Sequence, residues 1–209
     1  MDNPFHYSKL IHQRTITPPA YSNYRRYKPS LRQEFHGQCV YCRALESYKG
    51  QESFGVDHYR PKKRFPALAN EYLNLYYSCN RCNSYKGDFW PSSENIERGQ
   101  FVPNPCEHVM FQHMRYKNGG VAGVSNAGKW TAEHLDLNDP QTVLFRESFV
   151  KAIEAVAIKI GISTDTIKQA KKLLAKAATP EAKSQIAGQI DAAEKILNSL
   201  ESEMRGFLG

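Results

Sequence analysis

Two matched cysteine pairs, Cys39-Val-Tyr-Cys42 and Cys79-Asn-Arg-Cys82, carry the strongest chemical signal in the chain. A Cys-x-x-Cys turn presents two thiolates to one ion. Two such turns complete a tetrahedral four-cysteine site of the closed, structural kind that binds Zn2+. Buried free thiols need no such pairing. A redox role would call for one pair in a thioredoxin-like βαβ setting, whereas this chain has two pairs and no such setting. Residues 43–78 separate the pairs, a longer stretch than a simple zinc ribbon uses, so a further element is expected between them. The fifth cysteine, Cys106, is followed by His108 and His113; a loop cysteine beside packing histidines is expected there rather than a second metal site.

Between and just after the pairs lie Gly55-Val56-Asp57-His58-Tyr59-Arg60-Pro61-Lys62, then Tyr72-Leu73-Asn74-Leu75, then Asn83-Ser84-Tyr85-Lys86-Gly87-Asp88. Taken singly, Asp57-His58 reads as part of a core, Asn74 as a turn residue, and Asn83 as the cap of a helix following Cys82. Taken in order, Cys-x-x-Cys, Asp-His, Asn-Leu, Cys-x-x-Cys-Asn and Lys-Gly resemble the HNH endonuclease motif with its zinc-binding cysteines, over about residues 36–90. The resemblance implies an α+β fold: a ββα-metal (HNH, or His-Me finger) core of two antiparallel strands and a helix around one divalent cation, Mg2+ or Mn2+, beside the structural four-cysteine zinc site. It implies His58 as the general base that takes a proton from water near neutral pH. Asp57 and Asn83 are implied as oxygen ligands of the catalytic cation, and Asn74 as the residue that fixes the loop behind the histidine.

Arg60, Lys62, Lys63 and Arg64 follow the Asp57-His58 pair, while Arg81 lies inside the second cysteine pair and Lys86 just after it. Together they are expected to contact phosphates. Tyr59, Tyr72, Tyr76, Tyr77, Phe89 and Trp90 are interleaved with them and read mostly as core. The finer pattern His58-Tyr-Arg-Pro-Lys62, Phe65-Pro66, Cys82-Asn-Ser-Tyr-Lys-Gly-Asp88, Phe101-Val-Pro-Asn-Pro and His134-Leu-Asp-Leu-Asn138 is similar to the HNH subunits of Septu-type and retron-associated anti-phage defence systems. That resemblance implies a nucleic-acid substrate, DNA before RNA, and an ATPase partner of the ABC or SMC type. The alternative is a non-catalytic zinc module that binds nucleic acid, or a scaffold for a partner.

Three zones must position these residues. Residues 1–33 are rich in Tyr and Arg, with a basic cluster at Arg25, Arg26 and Lys28, and read as an extended arm ending in a short helix from Pro29-Ser30 toward Phe35. Residues 34–138 hold every cysteine and form the zinc-containing nuclease domain. Residues 139–209 are rich in Ala, Ile, Leu, Lys and Glu and read as helices: one from Asp139-Pro140 ending at Gly161, a shorter one capped by Ser163 with Ile167, Leu173 and Leu174, and a third from Thr179-Pro180. The third carries Ile186, Ile190, Ala193, Leu197, Leu200 and Met204 on one stripe. These helices suit either a hairpin packed on its own domain or a docking surface for a partner or a second copy, so a homo-oligomer stays open.

The 209 residues carry a net charge of +7, nearly all of it in the first hundred, which suits a polyanionic partner. With a mean hydropathy of −0.60 and no apolar run of about 18 residues, no membrane span is expected. The start MDNPFHYSKL has no basic end leading into an apolar stretch, so a cytoplasmic location is expected, where thiols stay free for metal. Chelation of the metal is expected to melt residues 34–90, because the thiolates have no preformed arrangement without it. Circular dichroism of a verified metal-free sample checks this, and full retention of structure would count against it.

Overall fold

An irregular arm ends in a 3₁₀ turn at Tyr24–Tyr27 and runs into α1 (Lys28–Glu34), where Pro29 occupies the first turn and loses no hydrogen bond there. In this computed structural model, which describes residues 3–208, the further elements are α2 (Glu46–Lys49), β1 (Phe54–His58), β2 (Leu75–Cys79), α3 (Asn80–Lys86), α4 (Ser93–Glu97), β3 (Met114–Lys117), β4 (Gly120–Gly123), α5 (Asn126–His134), α6 (Pro140–Lys176) and α7 (Pro180–Leu208). Two compact units are distinguished, residues 3–147 and Ser148–Leu208. No described helix is long and apolar enough to cross a membrane.

Strands β1 and β2 pair antiparallel, with Phe54 opposite Cys79 and His58 opposite Leu75. Leu-Tyr-Tyr-Ser-Cys in β2 is buried throughout, which branched and aromatic side chains on a two-sided strand favour. Phe54 stacks on Tyr77 across the pair, and α3 follows β2 without a loop. The expected mixed α+β fold is present, with β1, β2 and α3 in the order that the motif implies. β3 and β4 make a second, separate hairpin.

The arm is fastened by one carboxylate. Buried Glu34 at the end of α1 accepts hydrogen bonds from the Thr15 and Ile16 amides at 3.0 and 2.9 Å, and pairs with His12 at 3.1 Å. Arg14 donates to the Leu75 carbonyl and lies over the rings of Phe35, Tyr72 and Tyr76. An irregular segment thereby becomes part of the wall of the sheet.

The two cysteine pairs stand at the centre of this unit. All four residues are buried and free of disulfides, and their sulfurs lie within 4.8 Å of one another. The first pair makes a turn closed by Arg43 N to Cys39 O and Cys39 N to Ala44 O; the second brings the end of β2 and the first turn of α3 to the same point. Burial pushes the Cys39 thiol up, while hydrogen bonds from its neighbours, Cys39 first, hold Cys42 well below the ordinary thiol value.

A divalent ion on four thiolates carries two negative charges in excess, and the surroundings fit that charge. Arg146 is 1% exposed, with Nε and Nη2 buried and unpartnered, and it lines a small cavity together with Cys42, Cys79 and Cys82. Arg43 follows Cys42 directly, with its Nε buried and unpartnered and the charges of Cys39 and Cys42 acting on it. Among the described residues neither guanidinium pairs with a carboxylate. Arg43 also holds a left-handed backbone, φ 60°, where glycine would avoid a cost of roughly 1–2 kcal/mol. A buried cation without a counter-charge is strongly unfavourable, so the donor set and buried Arg146, with half-buried Arg43 next to Cys42, fit one tetrathiolate zinc ion.

The helical zone differs from the sequence reading at two places. α6 runs from Pro140 to Lys176 without a stop at Gly161, and Ser163 lies inside it rather than capping a new helix. Phe149, Ile153, Val156 and Ile167 are buried, with Ile160, Ser163, Ala170 and Leu174 half-buried between and after them. Their steps of four and three form one seam passing straight through the glycine. A glycine costs only about 1 kcal/mol in a helix interior, and the nearby Thr164 and Thr166 hydroxyls bond back to the Ile160 and Ile162 carbonyls instead of capping. Leu173, expected on the apolar face, is exposed. Asp139 and Thr179 do cap α6 and α7. Within the helical unit, Phe149 meets Phe207 and Lys171 pairs with Glu194, so α6 and α7 run antiparallel.

Replacing Arg146 by Met removes the charge and keeps the bulk. Zinc affinity, measured by competition with a chromogenic chelator, is expected to fall about 10- to 100-fold. An unchanged affinity with a raised melting temperature would mean that Arg146 is only a buried burden.

Candidate active site

The end of β1 delivers Asp57 and His58 to the floor of an open cleft of about 190 Å3, which Tyr24, Lys62, Asn83 and Asp88 also line. The long connection from β1 to β2 folds back over it in two 3₁₀ turns, Pro66–Leu68 and Tyr72–Asn74. That connection supplies the carbonyl of Ala69, 2.9 Å from His58 Nε2. A carbonyl can only accept, so Nε2 carries the proton and the lone pair is left on Nδ1. Burial holds the His58 pKa below its ordinary 6.5, outweighing the Ala69 bond and the Asp57 charge that raise it. The ring is therefore neutral and basic at neutral pH.

Asn74 keeps that connection in place. Its amide nitrogen donates to the Arg60 and Leu68 carbonyls, its side-chain oxygen accepts from the Arg60 amide, and its backbone carbonyl accepts from Tyr59. Four bonds from one residue tie both ends of the segment that carries Ala69.

Asp57 is 2% exposed. The Tyr41 hydroxyl donates to Oδ2 at 2.5 Å, and the Lys86 ammonium lies 3.1 Å from Oδ1 and donates to the His58 carbonyl at 2.8 Å. An ionised carboxylate offers about four acceptor positions, so two remain for a cation. Asn83 sits half-buried in the middle of α3, which begins at Asn80. It is thus a helix-interior residue facing the cleft and not the cap of a helix after Cys82. Gly87 ends α3 in a left-handed turn, φ 51°, and the chain returns Asp88 to the rim of the same cleft. One carboxylate and one amide oxygen are an adequate donor set for a hard cation that keeps several waters.

The basic residues divide into two groups. Arg60, Lys62, Lys63 and Arg64 are exposed on the connection beside the cleft; Arg60 lies over Trp90, Arg64 donates to the Trp90 carbonyl, and Lys63 pairs with exposed Asp88. Arg81 and Lys86 do not join that surface. Lys86 is 2% exposed and spent on Asp57, because the face of α3 that bears it packs on β1. Arg81 is held by Asp136 at 2.6 Å and Asp139 at 2.5 Å, beside the cysteine cluster.

Most of the interleaved aromatics are core as expected: Tyr76 and Tyr77 are buried and Tyr59 packs on Tyr76. Cys106 is half-buried, His113 bonds Ser125, and among the described residues the four paired cysteines form the only cluster of three or more His, Cys, Asp or Glu that could hold a metal. Sequence reasoning missed Tyr24, Tyr41, Asp88 and the role of Lys86. Tyr41 had a local signal, since it lies inside the first cysteine turn.

The HNH endonuclease family model matches residues 39–89. The Septu protein PtuB of Bacillus mycoides (strain KBAB4) is 27% identical over 66% of this chain and 56% of its own length. The Septu protein PtuB of Bacillus thuringiensis is 32% identical over 62% of this chain and 48% of its own length. The chain spans about half the length of these curated relatives. No solved structure matches it significantly. Family model, cysteine cluster and fold agree: the chain contains an HNH endonuclease domain with a buried four-cysteine cluster that fits structural zinc, and is a distant homologue of Septu protein PtuB.

Proposed function

We propose that the chain is a metal-dependent nuclease that hydrolyses phosphodiester bonds of nucleic acid, DNA before RNA, as the cutting component of an anti-phage complex. The observation that carries this reading is His58: its Nε2 is committed to a backbone carbonyl, its pKa is lowered, and its ring lines a cleft shared with Asp57 and Asn83. A neutral imidazole so placed takes a proton from an attacking water through Nδ1. Asp57 and Asn83 would hold the catalytic Mg2+ or Mn2+, which supplies Lewis acidity toward the phosphoryl and leaving oxygens. Asn74 and Ala69 keep the base in position. Zn2+ on Cys39, Cys42, Cys79 and Cys82 supports the frame and takes no part in the chemistry.

Arg60, Lys62, Lys63 and Arg64 supply phosphate contacts along the rim. Such contacts read the backbone and carry little sequence information, so any specificity comes from outside the cleft. The relatives named Septu protein PtuB support the defence role, with an ABC- or SMC-type ATPase as partner, and the reduced thiols suit the cytoplasm. The residues 139–209 serve as the docking element. Because Thr142 and Arg146 belong to the zinc-bearing unit, the informative truncation ends at Glu147. That shortened chain is expected to keep its zinc and lose the ATPase in a pull-down; retained binding would remove the docking assignment.

Cleavage of plasmid, linear DNA and structured RNA with Mg2+ or Mn2+ tests the central claim. His58→Ala is expected to lose about 10²–10⁴-fold in rate with zinc content unchanged. Protonation of His58 removes the base, and its pKa is lowered, so the wild-type rate should fall on acidification with a midpoint below 6.5. A zinc-loaded wild type that cuts nothing, alone or with an ATPase and ATP, would leave the non-catalytic binding module as the better reading.

A further inference from the structure

Tyr24 lies outside the matched residues 39–89 and yet lines the cleft of Asp57 and His58. Its ring meets His58 edge-on, centroids 4.5 Å apart at 67°. The Lys62 ammonium stands 4.8 Å from the Tyr24 ring centre and 3.4 Å from its phenol oxygen. The turn that carries it is anchored and not a loose flap. Asn23 accepts the Arg25 amide, Tyr27 is 3% exposed, and the Tyr27 hydroxyl accepts from the Tyr21 amide at 2.9 Å. Tyr27 also packs on Tyr72, in the connection that holds Ala69.

The Ala69 bond fixes one corner of the imidazole. One hydrogen bond leaves the plane of the ring free to tilt about that corner, and a tilt moves Nδ1. A second contact against the ring removes this freedom. We infer that Tyr24 is a positioning residue for His58: the N-terminal arm reaches into the nuclease cleft and, with the Ala69 carbonyl, fixes the plane of the base. This rests on the reading of His58 as the base. The arm thereby completes a site that the matched segment leaves unfinished, and it does so with its ring and not with its hydroxyl.

Two variants separate these possibilities in the full-length, zinc-loaded chain. Tyr24→Phe keeps the ring and Tyr24→Leu removes it from a half-exposed position, with zinc content as the check of folding. Long-range proton–nitrogen spectra of the His58 imidazole at neutral pH report tautomer and ring order without turnover. The wild type and Tyr24→Phe are expected to show one ordered ring protonated on Nε2, and Tyr24→Leu a broadened or averaged one. In cleavage, Tyr24→Phe should stay within about 2-fold of wild type. Tyr24→Leu should lose about 10- to 100-fold in kcat, the scale set by small misplacements of a reacting group, with KM little changed and no further loss in a His58→Ala background. An unchanged His58 spectrum in Tyr24→Leu, or equal disturbance in Tyr24→Phe, overturns the proposal. A chain that never cuts while its spectra behave as expected counts against the nuclease reading and upholds the placement of Tyr24.

Discussion

Four thiols meeting at one point are the constraint on which the rest of this structure depends. They come from a turn before the sheet, the last residue of β2 and the first turn of α3. Fixing them fixes the angle at which helix leaves strand, and that angle decides what α3 shows to β1. Asn83 and Lys86, three residues apart on α3, both reach the end of β1, one into the open cleft and one into the wall behind it. Without the cysteine frame, two short strands and a seven-residue helix bury too little apolar surface to hold such an arrangement.

The cleft is built by delegation outward from that frame. His58 is set by Ala69, Ala69 by the loop that Asn74 ties down, and Asp57 by Tyr41 and Lys86. In the proposed reaction each acting group is thus oriented by a neighbour that takes no part in it, which is how a small open site reaches the positional accuracy that catalysis needs. The arm contributes to the same shell through Arg14 and Tyr27, and Glu34 of α1 holds it there.

The parts of this site legible in the sequence are those whose chemistry depends on spacing along the chain. The cysteine pairs and Asp57-His58 lie in short runs with few geometric solutions, and Asn83 follows its cysteine directly. Lys86 and Arg81 escape such a reading for a different reason. A lysine in a basic neighbourhood looks like a surface residue until the direction of its helix is known, and the carboxylates that capture Arg81 lie far downstream, at Asp136 and Asp139. Tyr24 gives no local sign at all, being one tyrosine among several in a polar arm. Gly161 is a true local signal outvoted by a longer one, since the 3–4 seam of α6 outweighs the small cost of a single glycine.

The ammonium of Lys86 on Asp57 has a consequence for the relation between ions and folding. The carboxylate already has a resident counter-charge inside the protein, so the fold does not wait for a divalent ion to neutralise it. The tetrathiolate site is the reverse case: its arginines are left without counter-charge until an anionic metal complex forms. On the proposed function, the two ions therefore stand in opposite thermodynamic relations to the native state. On that reading the thiolate-bound ion is an obligate part of the folded architecture, while the catalytic one is an exchangeable visitor whose coming and going leaves the scaffold undisturbed.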